Sequence, residues 1–327
     1  MKFIIMKILP VSRQLSKPLA SVATRAERQV LSRGLSPQKS LKTGEIMWLK
    51  KRKELIEEIH NAHNENGNVF LWRIGQCGYV IKFCGKIILI DPVLNDLTDE
   101  NGKTVRLYEA PFSAADINAD YVLCTHGHAD HLAEETVKEF ALKKRSPVFI
   151  VPAGCKKQME NLLGTESEAK VIYLKPEESA ECPTINCCFT VKAISAAHPD
   201  HYYDESDSRM ALSYVLQLGK KTIIHLGDTY LTEPLLNNLG SIQEPDLLLP
   251  PINGDDLFRK MINFIGNMEA EEAAKLAVRI KAKLAIPTHY DMVLNNTADP
   301  NRFLNEMKRL ESADKCMLLE LGQQLIL

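Results

Sequence analysis

Residues 122–135 read "VLCTHGHADHLAEE" and place three histidines and an aspartate directly behind a short apolar run. The run is typical of a buried strand, so the polar residues lie where that strand ends. Neutral imidazole and carboxylate groups are the ligands that zinc, manganese and iron accept. Helix capping explains one acid and none of the histidines. The stretch therefore predicts a metal centre built on His126, His128, Asp130 and His131.

Four further acids or histidines follow apolar runs in the same way. They are Asp91 after "KIILI", His198 after "KAISAA", Asp228 in "IIHLGDT" and His289 in "AIPTHYD". Each one alone is a weak signal, since aspartate is common in turns and histidine is often structural. Their shared position at strand ends predicts that they enter one cleft together with the histidine-rich stretch.

The pattern around these residues predicts an α/β fold. Three short strands separated by glycine turns, "NVFLWRIG", "YVIKF" and "KIILID", follow an amphipathic helix expected between Met47 and about Asn66. Strands and helices then alternate, hairpins return from "FTVKAISAAH" to "KTIIHLGD", and "KLAIPTHYD" is expected as a closing strand. Both halves run from strands to helices, which favours a four-layer αββα sandwich over two independent domains.

Composition narrows the class of function. The 327 residues are 45% hydrophobic and 25% charged, with a formal net charge of −2, so nothing global attracts nucleic acid or an anionic membrane. No apolar run approaches the roughly 20 residues that span a bilayer. The eight cysteines form no C-x-x-C pair and are expected as reduced thiols in a cytoplasmic protein. A soluble protein with a small-molecule substrate is expected.

The first 46 residues differ from the rest. Nine lysines or arginines and a single acid, Glu27, lie between Met1 and Gly44, which is typical of an organellar transit peptide. An upstream start codon, with Met47 as the true first residue, explains the same stretch. The expected division is therefore an extension over 1–46 and a hydrolase domain over 47–327, with an organellar location as the alternative to the cytoplasm.

The motif series resembles that of the metallo-β-lactamase superfamily over about residues 69 to 327. H-x-H-x-D-H at 126–131 is followed by His198, Asp228 and His289 and preceded by Asp91. Within the superfamily, the chain is most similar to the L-ascorbate-6-phosphate lactonase branch. The similar segments are "LWRIGQCGYVIKF", "THGHADH", "IHLGDTY", "LLLPPINGDDLFR", "GNMEAEEAAKLA" and "IPTHYDM".

The resemblance implies a pair of divalent ions, zinc or manganese. One ion is held by His126, His128 and His198, and a second by Asp130, His131 and His289, with Asp228 between them and Asp91 orienting a ligand imidazole. Such ions share a hydroxide that attacks a lactone carbonyl, while Asp130 holds or shuttles a proton. The implied reaction is the opening of a phosphorylated sugar lactone.

The sequence offers fewer signals for the rest of the substrate. Arg209 and Arg259 are candidates for binding a phosphate, Asn253 follows a rigid double proline, and Tyr290 is adjacent to a predicted ligand. The stretch between His198 and "ALSYVL" is shorter than the corresponding insert of the lactonases, which leaves the substrate open. Hydrolysis of a phosphodiester, as in the branch that cleaves N-acyl phosphatidylethanolamines, and a metal-binding scaffold without activity are the alternatives. The oligomeric state, including a homo-oligomer, is also open.

Overall fold

The computed structural model describes residues 48–327 apart from positions 51, 64–66, 166, 185–186, 200–208, 243 and 263. The proposed extension over 1–46 and most of the loop after His198 lie outside the described residues, so the predictions made for them stay predictions. No helix in the described ranges is long and apolar enough to cross a bilayer.

Twelve strands and seven α-helices make up the described part of the chain. The strands are β1 Phe70–Gly75, β2 Gly78–Phe83, β3 Lys86–Ile90, β4 Tyr121–Leu123, β5 Val148–Pro152, β6 Val171–Leu174, β7 Ser179–Pro183, β8 Cys188–Ser195, β9 Leu212–Leu218, β10 Lys221–His225, β11 Leu247–Leu249 and β12 Gln324–Ile326. The helices are α1 Arg52–Asn61, α2 Glu134–Ala141, α3 Lys156–Leu163, α4 Glu233–Gly240, α5 Leu257–Met261, α6 Ala270–Arg279 and α7 Asn301–Arg309.

The strands form two sheets. The first has the order β12-β1-β2-β3-β4-β5-β6, antiparallel from β12 to β3 and parallel from β3 to β6. The second has the order β11-β10-β9-β8-β7, with one parallel pair between β10 and β11. The predicted antiparallel meander of the first three strands is confirmed, and parallel strands joined by helices follow it.

Apolar side chains fill three layers of contact. Between the sheets, Leu71 and Ile88 of the first sheet share a core with Val191 and Leu216 of the second. The outer face of the first sheet packs against α1, α2 and α3, and the outer face of the second sheet packs against α4, α6 and α7. Because both faces of these sheets are covered, strands such as "KIILI" are continuously apolar. The predicted four-layer αββα sandwich is confirmed.

One secondary-structure prediction differs from the structure, and one strand was not predicted. The segment "KLAIPTHYD" forms isolated bridges from Ala285 and Thr288 to Leu248 and Pro251 in place of a regular strand. The strand that joins the first sheet is instead β12, at the end of the chain, where it pairs with β1. Its partner lies about 250 residues earlier in the sequence, so local periodicity carries no signal of the pairing.

The prediction that all cysteines are free thiols is wrong for one pair. Cys84, in the turn between β2 and β3, and Cys187, just before β8, are joined in a disulfide. The two positions are 103 residues apart and belong to different sheets, so only the packing of the sandwich brings them together. The other six cysteines are not joined in disulfides, in agreement with the prediction.

Candidate metal centre

The predicted ligands lie just beyond the ends of strands, at one end of the sandwich. Asp91 directly follows β3, and His126 lies three residues beyond β4, the parallel neighbour of β3. His198 and Asp228 each lie three residues beyond a strand of the second sheet, β8 and β10. The carboxyl ends of parallel strands meet at one edge of a sheet, which is the usual place for a ligand site in such folds.

The first group of ligand atoms contains three imidazoles and one carboxylate. His126, His128, His198 and Asp228 each offer one atom, and these atoms lie within 4.8 Å of one another. Nδ1 of His128 is 2.9 Å from Nε2 of His126 and 3.2 Å from Nε2 of His198. Three ring nitrogens that converge in this way form a donor set suited to a divalent ion.

The second group lies beside the first and shares Asp228 with it. Asp130, His131 and His289 also offer ligand atoms within 4.8 Å of one another. Oδ1 of Asp228 is 3.2 Å from Nε2 of His131, and Oδ2 of Asp228 is 3.2 Å from Nε2 of His289. Oδ2 is also 4.0 Å from Nε2 of His198, in the first group. The carboxylate of Asp228 therefore lies between the two groups.

Two buried polar atoms test whether this donor set fits a cation. Nε2 of His131 and Oδ1 of Asp228 are buried and lie 3.2 Å apart, but neither forms a hydrogen bond of acceptable geometry with the other or with any other described residue. A buried polar atom without a partner costs about 1–3 kcal/mol, so native structures rarely keep one without a reason. Both atoms belong to the ligand groups, so a divalent ion bound there would satisfy them. The residues present therefore fit the metal ions that the sequence predicts.

The protonation of the first group also suits metal binding. Burial lowers the pKa of His126 well below its usual value, and the neighbouring His131 lowers it further. Burial likewise lowers the pKa of His198 to about 4. Neutral imidazole is the form that donates a lone pair to a metal. These two rings therefore need to lose no proton near neutral pH before they bind an ion.

In the second group, the pKa values of the two imidazoles are raised instead of lowered. Burial acts to lower the pKa of His289, but the carboxylates of Asp228 and Asp130 outweigh it and raise that pKa to about 9. The pKa of His131 is also raised, against burial, by Asp228, Asp130 and Asp91. In the absence of metal, these imidazoles hold protons that balance the carboxylates. An ion that binds here must displace those protons.

The apparent affinity for metal at the second group is therefore expected to rise with pH. Because His289 stays protonated up to about pH 9, each proton displaced should strengthen binding about tenfold per pH unit between pH 6.5 and 8.5. Competition with a chelator of known affinity, measured on the metal-free protein at several pH values, checks this. An affinity that stays constant over this range would contradict it.

Asp91 fixes the orientation of one ligand ring. Its Oδ2 accepts hydrogen bonds from Nδ1 of His131 at 2.8 Å and from the hydroxyl of Thr125 at 2.8 Å. Its Oδ1 accepts from the backbone N–H of Thr125 at 2.7 Å. With Nδ1 donating to Asp91, Nε2 of His131 is directed toward Asp228. Asp91 is fully buried and has a φ of 44°, a left-handed conformation that non-glycine residues rarely adopt.

Sequence reasoning missed Gln76, which supports the second group. Its Nε2 donates to Oδ2 of Asp130 at 2.8 Å and lies 3.1 Å from Nε2 of His289. Gln76 is fully buried in the turn between β1 and β2, with a φ of 51°. The sequence "GQCG" indicated the turn, but a lone glutamine in a turn gives no sign of where its amide points.

A buried histidine and a thiol lie beneath the centre. Nε2 of His225 donates to the carbonyl of Cys77 at 2.8 Å, while Nδ1 accepts from the N–H of Gly227. Both ring nitrogens are therefore used in the fold, as expected for a structural histidine. Burial raises the pKa of the Cys77 thiol well above its usual value, so the thiol is protonated in the absence of a metal ion.

A cavity of about 320 Å³ opens beside the two groups. His128, Asp130 and Asp228, which belong to the two ligand groups, are among the residues that line it. The other residues that line it are Leu97, Thr98, Asp99, Val105, Ala129, Phe264, Ile265, Val293 and Asn296. Its volume lies at the lower end of the range typical of small-molecule sites.

The four residues predicted to bind substrate are not among the residues that line this cavity. The guanidinium of Arg259 bonds Asp256, the carbonyl of Thr297 and Oδ1 of Asn296, and Asn253 donates to that same oxygen. They therefore support the cavity wall through Asn296. The ring of Tyr290 lies 4.7 Å from the Arg73 guanidinium. The carbonyl of Arg209 accepts from the N–H of Gly154, outside the cavity lining.

Comparison with known proteins agrees with this site. The family described as "Beta-lactamase superfamily domain" matches residues 86–290, which hold every predicted metal ligand. A UPF0173 metal-dependent hydrolase of Thermoplasma volcanium is 31% identical over 224 residues, covering 67% of this chain and 83% of its own.

Two solved structures share the fold. Igni18, described as a novel metallo hydrolase from the archaeon Ignicoccus hospitalis, superposes with a TM-score of 0.59 at 19% identity over 80% of this chain and 98% of its own. An isothiocyanate hydrolase from Delia radicum gut bacteria gives 0.61 at 17% identity, over 78% and 98%. The matches in sequence and fold place this chain in the metallo-β-lactamase superfamily, within the UPF0173 family of metal-dependent hydrolases.

Proposed function

We propose that this hydrolase opens a lactone ring, with a pair of divalent ions, zinc or manganese, held by the two groups of ligands. The observation that carries the proposal is the position of Asp228 between the groups, with its two oxygens 3.2 Å from ligand nitrogens of His131 and His289. When bound, such ions lower the pKa of a water molecule and stabilise negative charge on a carbonyl oxygen.

The chain's own residues account for the remaining steps. Asp130 lines the cavity and is held by Gln76, so it can take the proton of the attacking water. Water adds to the carbonyl carbon, the bond from that carbon to the ring oxygen breaks, and Asp130 returns the proton to that oxygen. The product is a hydroxy acid. No serine or cysteine nucleophile is needed.

The lactone part of this proposal is supported by the resemblance to the ascorbate-6-phosphate lactonases. The proposal does not include a phosphate group on the lactone. Among the described residues that line the cavity there is no lysine or arginine, and the lining includes the carboxylate of Asp99. Apart from the proposed metal ions, no positively charged side chain among the described lining residues would offset the repulsion between Asp99 and a phosphate dianion.

A lipid phosphodiester is the second candidate substrate. It is favoured by α5, on which Leu257, Phe258 and Met261 are 73%, 53% and 74% exposed. Exposed apolar side chains on one short helix are unusual for a surface that faces only water. Phosphodiester cleavage would use the same ligands and the same water.

A panel assay on the metal-loaded full chain tests the proposal. Release of acid is measured from plain lactones, a phosphorylated sugar lactone and a phosphodiester, with a His128→Ala variant as the control for contaminating activity. Opening of plain lactones by the wild type and not by the variant is expected. Phosphodiester cleavage without lactone opening would replace the first candidate by the second, and inactivity on the whole panel would overturn both.

A further inference from the structure

Apart from the residues that belong to the two ligand groups, most of the residues that line the cavity are apolar. Its apolar side chains come from two separate parts of the chain and from the loop that follows α5. They are Leu97, Val105, Phe264, Ile265 and Val293. Thr98, Asp99 and Asn296 supply the polar groups of the wall. An apolar wall beside a hydrolytic centre gains free energy only from a substrate group that has apolar surface to bury.

The amide oxygen of Asn296, one of the polar groups of the wall, is already bonded within the protein. Oδ1 of Asn296 accepts from Nδ2 of Asn253 at 2.9 Å and from Nε of Arg259 at 3.1 Å. The rest of the Arg259 guanidinium bonds Asp256 and the carbonyl of Thr297. The Arg259 guanidinium is therefore 5% exposed and paired with Asp256 within the protein. It holds the wall in place and is not presented to a ligand.

Phe264 and Ile265 are carried by a loop that is closed at its base. The N–H of Gly254 donates to the carbonyl of Met268, and the N–H of Asn267 donates to the carbonyl of Gly254, both at 3.1 Å. Residues 255–266 therefore leave and re-enter the fold at one point and carry both α5 and the two lining residues. Arg259, on α5, ties this loop to the Asn296 segment. The apolar lining thus has a fixed support.

We infer that the cavity binds an uncharged apolar part of the substrate, an aliphatic chain or ring next to the bond that is cleaved. Phe264 and Ile265 then determine how strongly such groups are preferred. The inference shares one assumption with the proposed function, which is that the substrate binds in this cavity. Each methylene buried against the wall should strengthen binding about three- to fourfold until the cavity is filled.

Binding of straight-chain carboxylates to the metal-loaded full chain tests this inference. The series runs from acetate to octanoate, so that the carboxylate stays constant while the chain lengthens, and dissociation constants come from calorimetry. The wild type should bind each longer member about three- to fourfold more tightly until the cavity is filled. Phe264→Ala should flatten this dependence, while Phe264→Leu should keep most of it.

Leu142→Ala is the matched control, because Leu142 is 87% exposed, follows α2 and is absent from the cavity lining. Its dependence on chain length should equal that of the wild type. A dissociation constant independent of chain length in the wild type would overturn the inference, as would tighter binding of a phosphorylated carboxylate of equal length. Because binding is measured without turnover, a protein that opens no lactone still gives a clear result.

Discussion

Replacing Asp228 with Asn should remove metal from both groups of ligands and abolish activity with it. The two carboxylate oxygens lie close to ligand nitrogens of His131 and His289, and one of them also approaches His198. Asparagine keeps one acceptor oxygen and turns the other position into an N–H donor, which repels a cation. The loss of metal affinity should exceed the roughly 10- to 100-fold that removal of an outer hydrogen-bond partner costs.

Elemental analysis of the dialysed Asp228→Asn protein measures this effect. Asp246→Asn is the matched control, since Asp246 is also a buried carboxylate but lies directly before β11, bonded to Thr222, Lys221 and Lys283. The control should lose some stability and keep its metal. Loss of a single ion from Asp228→Asn would show that the carboxylate does not serve both groups.

Replacing Asp91 with Asn should weaken metal binding about 10- to 100-fold although Asp91 belongs to neither group. Asp91 accepts three hydrogen bonds, from Thr125 N–H, Thr125 Oγ1 and His131 Nδ1. An asparagine can satisfy the backbone N–H, but its amide then presents donors to the other two atoms. His131 Nδ1 would have to accept, which places the proton on Nε2, where the metal should bind.

A metal titration of Asp91→Asn, with unfolding followed in parallel, separates binding from stability. Asp120→Asn is the control, because Asp120 is a carboxylate at the opposite end of β4 that bonds the N–H of Ile87 and the side chains of Lys86 and Arg145. The control should lose stability without losing affinity. Equal losses of affinity in the two variants would show that Asp91 acts only through the stability of the fold.

The sequence predicted the fold and the convergence of the His and Asp side chains because both depend on local patterns. An apolar run followed by His or Asp marks a strand end, and the sandwich brings such ends together, as it does for His126, His198 and Asp228. The density of "THGHADH" has no explanation in packing. Once the αββα architecture is accepted, convergence of these residues follows from topology.

Features that depend on tertiary packing could not be predicted in this way. Gln76 reaches Asp130 because of one turn conformation, and Phe264 reaches the cavity because of the path of a loop. Arginine is a residue type that often binds phosphate, yet the guanidinium of Arg259 is bonded to Asp256 and Asn296 within the protein. The Cys84–Cys187 disulfide joins two sheets. In each case the sequence gives the residue type, but it does not show which residues will lie next to it in the folded protein.

The left-handed backbone at the metal centre limits how this protein can be stabilised by design. Gln76, Asp91 and His289 have φ values of 51°, 44° and 56°, and each such residue costs roughly 1 kcal/mol relative to a relaxed conformation. A search for stabilising substitutions would select glycine at these positions. Each one would remove a side chain that orients or supplies a ligand, so gains in melting temperature here would come with loss of metal. Engineering for robustness is better directed at the surface helices.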